Sequence, residues 1–244
     1  MRILAVIPAR GGSKGLPGKN TMPLAGIPLI GHSIAFARLI PEVERTIVTT
    51  DDPSIAEVAR ALGGDVPFLR PAELATDRTP MAPVVRHALL TVEEGESEPY
   101  DAVLLLDPTS PVRDRAAVCE AIRKLADTPG IDGVISVSAP RFDPLWVGVE
   151  VTEPGTLRRF FSEARGVTRR QDAARQYLRI NGSFYLWTSE FARRLGTSWF
   201  DEGTFAPLVI PESQAYSIDD SDEFQLIEVL LEQGVLRLPV GPKS

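Results

Sequence analysis

Three groups of residues in this chain have the types and spacing to do chemistry. The first is Arg10-Gly11-Gly12-Ser13-Lys14-Gly15-Leu16-Pro17-Gly18-Lys19-Asn20, in which four glycines are interleaved with three cations. Glycine admits positive φ and lets a ligand approach bare backbone N–H groups. A run of such groups makes an anion-binding concavity, and Arg10, Lys14 and Lys19 set full positive charge beside it. That chemistry fits a polyphosphate. The second group is Asp107-Pro108-Thr109-Ser110-Pro111, a rigid polar loop. Its carboxylate can accept hydrogen bonds or hold a metal, and its hydroxyls can do either job at a ligand. The third is Ser217-Ile218-Asp219, followed by Asp220-Ser221-Asp222-Glu223. Charge alone reads most simply as the acidic start of a helix, which needs no ligand at all.

The glycine loop is neither of two common phosphate loops. Counting back from Gly18-Lys19, the first glycine of a Walker loop falls on Ser13, and its closing Ser or Thr falls on Asn20. The dinucleotide fingerprint fails as well, because no glycine follows two residues after Gly11 or Gly12.

The elements that position these groups follow from hydrophobic pattern and punctuation. Ile3–Ile7 is a short buried strand that runs straight into the glycine loop. A helix is expected from Pro28 to about Leu39, a strand over Thr46–Thr50, and a helix opened by Asp52-Pro53 and closed by Gly63-Gly64. Short strands are expected at Val66–Leu69 and Tyr216–Ile218. Thr79-Pro80 opens a helix to about Glu94, and Asp101–Leu106 is a continuous apolar run, hence a central strand. Asp114 caps a helix to about Ala126, and Gly133–Ser138 is the next strand. Asn181–Trp187, a short helix and Phe205–Ile210 follow, then a last helix over Glu223–Gln233 behind its acidic start. This alternation predicts an α/β fold with a doubly wound, mostly parallel sheet. Ligands in such sheets bind at the carboxyl edge, where the first two groups would lie.

The rhythm breaks between about 140 and 179, which is rich in proline, aromatics and arginine and shows no clean period. So long an excursion inside a compact domain is functional or packs on something; aromatics with arginine are typical of a subunit interface, and a small satellite hairpin on the same subunit is the alternative.

The chain has 244 residues, 43% of them hydrophobic, enough for one sizeable core. A net charge of -7 argues against non-specific nucleic-acid binding. The single cysteine, Cys119, excludes an intramolecular disulfide and falls in the apolar phase of a helix. No signal peptide or membrane span is apparent, so a cytoplasmic protein is expected. His32 and His87 lie in predicted helices away from the polar loops, and no nucleophile elbow is present, so hydrolysis through a Ser-His-Asp triad has no support.

Pro8-Ala9-Arg10-Gly11-Gly12-Ser13-Lys14-Gly15, followed by Lys19-Asn20, resembles the nucleotide-binding signature of the acylneuraminate cytidylyltransferases, the CMP-sialic acid synthetase family. Leu104-Leu105-Leu106-Asp107-Pro108-Thr109-Ser110-Pro111-Val112-Arg113 is similar to that family's LQPTSPLR segment, and Arg169-Arg170-Gln171 to its PRQ segment. Asn181-Gly182 and the acidic helix start also match, so the resemblance runs through essentially the whole chain.

The resemblance implies a single nucleotide-diphospho-sugar transferase-like domain over 1–244, with a dimerisation arm at about 140–179. It implies transfer of CMP from CTP to the anomeric hydroxyl of a nonulosonic acid, with release of pyrophosphate. Nucleotide contacts would come from Ala9, Arg10, Gly11, Gly12, Ser13, Lys19, Asn20, Arg70, Thr109 and Ser110. Sugar contacts would come from Asp107, Thr109, Ser110, Arg170, Asn181 and Gly182. Mg²⁺ would sit on Asp219, with Asp107 as a further ligand, and Arg10, Lys19 and Asp219 would be catalytic. A homodimer with a shared active site is implied, with Arg170 reaching the acceptor; neither nucleic acid nor membrane is a partner. Three positions depart from the pattern: Asp107 stands where the family has Gln, Ser217 where it has the first of two aspartates, and Arg169 where proline is common. Arg70 is equally readable as a strand-end surface residue. A sugar nucleotidyltransferase with another acceptor, and a non-catalytic nucleotide-binding protein on the same fold, remain alternatives.

Overall fold

The computed structural model describes residues 1–12, 15–140, 147–153, 155–161 and 177–239. In chain order the main elements are β1 (Ile3–Pro8), the short strands β2 (Pro23–Leu24) and β3 (Ile27–Pro28), α1 (Leu29–Ala37), β4 (Val43–Thr49), α2 (Pro53–Ala61), α3 (Met81–Glu93), β5 (Ala102–Leu105) and α4 (Arg115–Asp127). There follow β6 (Gly133–Ser138), β7 (Val149–Thr152), β8 (Thr156–Arg159), β9 (Arg179–Thr188), α5 (Ser189–Arg193), α6 (Trp199–Glu202), β10 (Phe205–Val209) and α7 (Ser221–Glu232).

Six strands form one sheet in the order β10-β6-β9-β5-β1-β4. β1 runs parallel to β4 and β5, and β10 runs parallel to β6. β9 alone is antiparallel, pairing Tyr185 with Leu105 on one side and with Ile135 on the other. Its direction matters for the site. A strand reversed among parallel neighbours brings its own beginning to the edge where the others end. Asn181-Gly182, near the start of β9, therefore join the segments that follow β1 and β5.

The residues of β1 alternate between two cores. Ile3, Ala5 and Ile7 pack with α1, α2 and α4, whereas Leu4 and Val6 pack with α3 and α5. Both faces of the sheet are covered, as continuous apolar strands require. A third cluster joins Leu24, Leu29, Val112, Ile218, Phe224 and Ile227, with Leu16 and Met22 against it. Burying each such large side chain stabilises the fold by roughly 1.5–3 kcal/mol. This cluster docks α7 against the first loop, although the two lie at opposite ends of the sequence.

Helix starts follow their sequence signals. Asp52 accepts from Ser54 N at 2.8 Å ahead of Pro53, and Asp114 accepts from Ala116 N at 2.8 Å. Each cap is worth about 1 kcal/mol.

Two expectations are corrected. Val66–Leu69 is not a strand: only isolated bridges at Asp65 and Leu69 touch the sheet, and Pro67 between them has no N–H for a ladder. Tyr216–Ile218 is not a strand either; its anchor to the segment after β5 is a bond from Ile218 N to the Thr109 carbonyl at 2.8 Å. The 140–179 excursion, without a clean period in the sequence, contains an antiparallel hairpin, β7–β8, the element its satellite-hairpin alternative named. Val-Glu-Val-Thr has a two-residue period, but over four residues it is too brief to stand out. Among the described residues, no helix is long and apolar enough to cross a membrane.

Candidate active site

Two adjoining cavities of about 260 Å³ each open along the carboxyl edge of the sheet. Met81, Asp107, Thr109 and Asp219 line both. The first is cationic, with Arg10, Lys19 and Arg70 in its wall. The second combines Ser110, Asn181, Gly182 and Ser217 with an aromatic side of Tyr185, Trp187 and Trp199.

The glycine loop forms the cationic wall through local geometry. Gly18 has φ 71°, in the left-handed region, and precedes a short turn of 3-10 helix over Lys19–Thr21. Gly15 passes so close to the last segment that a Cβ there would run into the Asp219 carbonyl oxygen. Asn20 is buried and donates Nδ2 to the Arg10 carbonyl at 3.0 Å, bracing the loop across its mouth. Arg10 pairs with Asp77 at 2.6 Å. Lys19 Nζ donates to Asp219 Oδ1 at 2.9 Å and to the Ile218 carbonyl at 3.1 Å. Ala9 is buried in the core, with its N–H on the Thr49 carbonyl. Gly11 donates its N–H to Asp51 Oδ1 at 3.1 Å. Ala9, Gly11 and Gly12 form the base and bend of the loop and line neither cavity. Ser13 and Lys14 lie outside the described residues.

Arg70 is no surface residue. Its Nε donates to Thr49 Oγ1 at 3.2 Å and its Nη2 to the Thr49 carbonyl. Burial pulls its guanidinium down to about 10; Asp51 opposes that and Arg10 adds to it. It remains a fixed cation at neutral pH.

Around Asp219 the acidic residues divide by role. Asp220 caps α7, accepting from Asp222 N and Glu223 N at 3.0 and 2.9 Å. Glu223 accepts from Asp219 N at 2.7 Å. The Asp219 carboxylate takes no part in capping and turns to the cavities, where Ser217 Oγ donates to its Oδ2 at 2.8 Å. Burial pushes this carboxyl up, but the hydrogen bonds from Lys19 and Ser217 and the Lys19 charge outweigh that and hold it below its ordinary value.

Asp107 is fixed by its own turn. Its Oδ1 accepts from Thr109 N and from Thr109 Oγ1, each at 3.0 Å. Ser110 Oγ donates to the Gly182 carbonyl at 3.3 Å, tying this loop to β9. Asn181 Oδ1 accepts from Ser183 N and Ser136 Oγ, while its Nδ2 is buried with no partner among the described residues. Arg170, the remaining sequence-derived candidate, lies outside the described residues.

Sequence reasoning missed Asp77 and the aromatic side. Tyr185 stacks on Trp187 at 5.3 Å, and Trp199 stands edge-on to both at 5.8 and 5.4 Å. Tyr185 and Trp187 are two apart on β9, a spacing that placed them on one face. Nothing in the sequence tied Trp199, on α6, to them.

A doubly wound sheet with a cationic cleft at its carboxyl edge, opening onto a second pocket, is the arrangement of a protein that binds a phosphorylated ligand beside a second small molecule. Residues 4–125 match the cytidylyltransferase family model. The chain is 36% identical to the CMP-N,N'-diacetyllegionaminic acid synthase of Legionella pneumophila, covering 95% of this chain and 97% of that one. It is 38% identical over 137 residues to the N-acylneuraminate cytidylyltransferase of Escherichia coli, which covers 56% of this chain and 31% of the relative. The fold is similar to the solved structure of CMP:2-keto-3-deoxy-manno-octonic acid synthetase complexed with CTP, with a TM-score of 0.72 at 18% identity over 96% of this chain and 100% of the other. The chain belongs to the acylneuraminate cytidylyltransferase family.

Proposed function

We propose that this protein transfers CMP from CTP to the anomeric hydroxyl of a nonulosonic acid and releases pyrophosphate, activating the sugar for glycan synthesis in the cytoplasm. The observation that carries the reading is the pair of cavities sharing Asp107, Thr109 and Asp219. One cavity has the cations a triphosphate needs. The other has the hydroxyls, amides and aromatic faces suited to an N-acylated sugar acid. Substrates in both would meet at the shared residues. The Legionella relative, named for diacetyllegionaminic acid, supports an acceptor of that class.

Arg10, Lys19 and Arg70 would bind the triphosphate. Arg10 and Lys19 would stabilise the charge that develops on the leaving pyrophosphate as the sugar oxygen attacks the α-phosphorus. An incoming polyanion would compete with Asp77 for Arg10. Asn181 Nδ2, buried without a partner, would donate to an acceptor oxygen.

The residues present fit a magnesium ion. Asp219 is free of capping duty and lines both cavities beside Asp107. Among the described residues no three His, Cys, Asp or Glu cluster as a metal cage. An ion there would take most of its ligands from phosphate oxygens and water, as magnesium commonly does. It would supply Lewis-acid polarisation of the phosphates.

The hairpin β7–β8 exposes Val149, Val151 and Leu157, with Phe160 exposed just beyond it. A lone two-stranded hairpin is marginal in water. We read it as part of a homodimer interface that brings Arg170 of one chain toward the acceptor pocket of the other.

The test offers CTP and Mg²⁺ with a panel of sialic, legionaminic, pseudaminic and octulosonic acids. Pyrophosphate release with at least one nonulosonic acid, and not with the octulosonic acid, is expected. Tight CTP binding without turnover on any acceptor would overturn the reading in favour of a non-catalytic nucleotide-binding protein.

A further inference from the structure

Arg113 follows the Asp107 loop and lines neither of the two cavities. It is 4% exposed, yet no carboxylate pairs with it among the described residues. A buried cation without a counter-ion costs several kcal/mol unless every donor is matched. Here three of its five N–H groups are matched, one on each nitrogen, to three separate elements. Nε donates to the Ser183 carbonyl on β9 at 2.7 Å, Nη1 to Ser33 Oγ on α1 at 3.0 Å, and Nη2 to the Asp107 carbonyl after β5. The guanidinium lies 5.8 Å from the centre of the Phe36 ring. Burial pulls it down to about 9, with the Asp107 charge opposing, so it stays protonated at neutral pH.

Two of those three acceptors belong to the segments that carry acceptor-side groups. Asp107 presents its carboxylate at the junction of the cavities, and Ser183 follows Asn181-Gly182. Nothing in β-sheet pairing fixes their spacing, because the β5–β9 ladder stops at Leu105 and Tyr185. Beyond that point two hydrogen-bonded links join the segments among the described residues: the bond from Ser110 Oγ to the Gly182 carbonyl, and the fork of Arg113. A planar guanidinium holds two carbonyls at a fixed separation, which a flexible ammonium does not.

We propose that Arg113 is a positioning residue for the acceptor half of the site, setting the spacing between Asp107 and the Asn181-Gly182 turn. This rests on the reading of the second cavity as the sugar pocket. The cations of the nucleotide half are braced elsewhere, the Arg10 carbonyl by Asn20, Lys19 by Asp219 and Arg70 by Thr49, so CTP affinity should depend on Arg113 far less than acceptor affinity does.

The experiment compares wild type with Arg113→Lys, which keeps the charge but loses the fork, and Arg113→Ala, assayed with and without added guanidinium. CTP and acceptor are varied separately. Loss of charge-assisted bonds predicts an acceptor KM raised about tenfold or more in Arg113→Lys, with the CTP KM within about twofold of wild type. Guanidinium should restore part of the acceptor affinity of Arg113→Ala; should that variant fail to fold, Arg113→Lys decides alone. An unchanged acceptor KM, or the two constants rising together, would overturn the assignment. Hydrogen exchange on the same proteins needs no acceptor. Amides of 107–110 and 181–184 should exchange faster in Arg113→Lys while those of β1 hold. No change in either segment, or faster exchange everywhere, counts against positioning. If wild type turns over no acceptor, the functional reading fails and the exchange result still decides the role of Arg113.

Discussion

Lys19 and Asp219, 200 residues apart in sequence, meet in an ion pair of 2.9 Å. The pair closes the cleft by joining the glycine loop to the segment before α7. It places side by side the cation and the carboxylate that the proposed function assigns to phosphate and to a metal. Lys19→Ala should therefore slow pyrophosphate release about a hundredfold or more, the usual loss for one oxyanion donor. Steady-state release from CTP and acceptor measures it, and near-normal turnover would sink the phosphate-cradle role.

Neighbouring aspartates should behave differently. Asp219→Asn should raise the Mg²⁺ concentration for half-maximal activity about tenfold or more, through loss of a direct ligand. Asp220→Ala removes only a helix cap, so it should cost about 1 kcal/mol of stability and leave the Mg²⁺ requirement alone. Magnesium titrations and thermal melts on both variants separate the roles.

His32 sets a pH dependence of stability. It is buried, and its Nε2–H donates to the Leu24 carbonyl at 2.9 Å. Burial lowers its folded-state pKa below the ordinary 6.5; the hydrogen bond to the Leu24 carbonyl and the nearby Ile27 backbone oppose this, and the Arg113 charge adds to it. The unfolded chain therefore takes up the proton first. The contribution is full above the unfolded value and is lost as pH falls from there toward the lower folded value. His32→Gln should flatten the fall in melting temperature between about pH 7.5 and pH 5.5 that this group causes. An unaltered slope would contradict the burial argument.

The hairpin offers a test of assembly. Val151→Asp together with Leu157→Asp should convert a dimer to a monomer by light scattering. Acceptor affinity should fall more than CTP affinity if the arm of one chain completes the pocket of the other. A wild-type monomer, or a variant that stays dimeric, would contradict the proposed interface.

Much of the scaffold was legible in the sequence because its signals were local. The apolar run into the glycine loop, the Asp-Pro helix start and the Asp114 cap each lie within a few residues of the feature they determine. What was not legible depends on pairing direction and distance. Nothing in the alternation of β9 says that it runs antiparallel, and that direction is what carries Asn181-Gly182 to the carboxyl edge. Asp219, Asp220, Asp222 and Glu223 look alike as a charge cluster, and only the geometry separates caps from the carboxylate that faces the cleft. Asp77 and Trp199 reach the site from a turn and a short helix whose sequences carry no motif. Arg113 was visible as the end of the Asp107 segment, but its fork needs β9 and α1 in place before it means anything.

The central claim is that the two cavities hold two substrates and join them. Phosphorus NMR of the protein with CTP, Mg²⁺ and N,N'-diacetyllegionaminic acid tests this directly. Each CTP consumed should yield one pyrophosphate and one CMP-sugar phosphodiester. CTP left intact with every nonulosonic acid offered, or pyrophosphate formed with free CMP and no sugar conjugate, would contradict it.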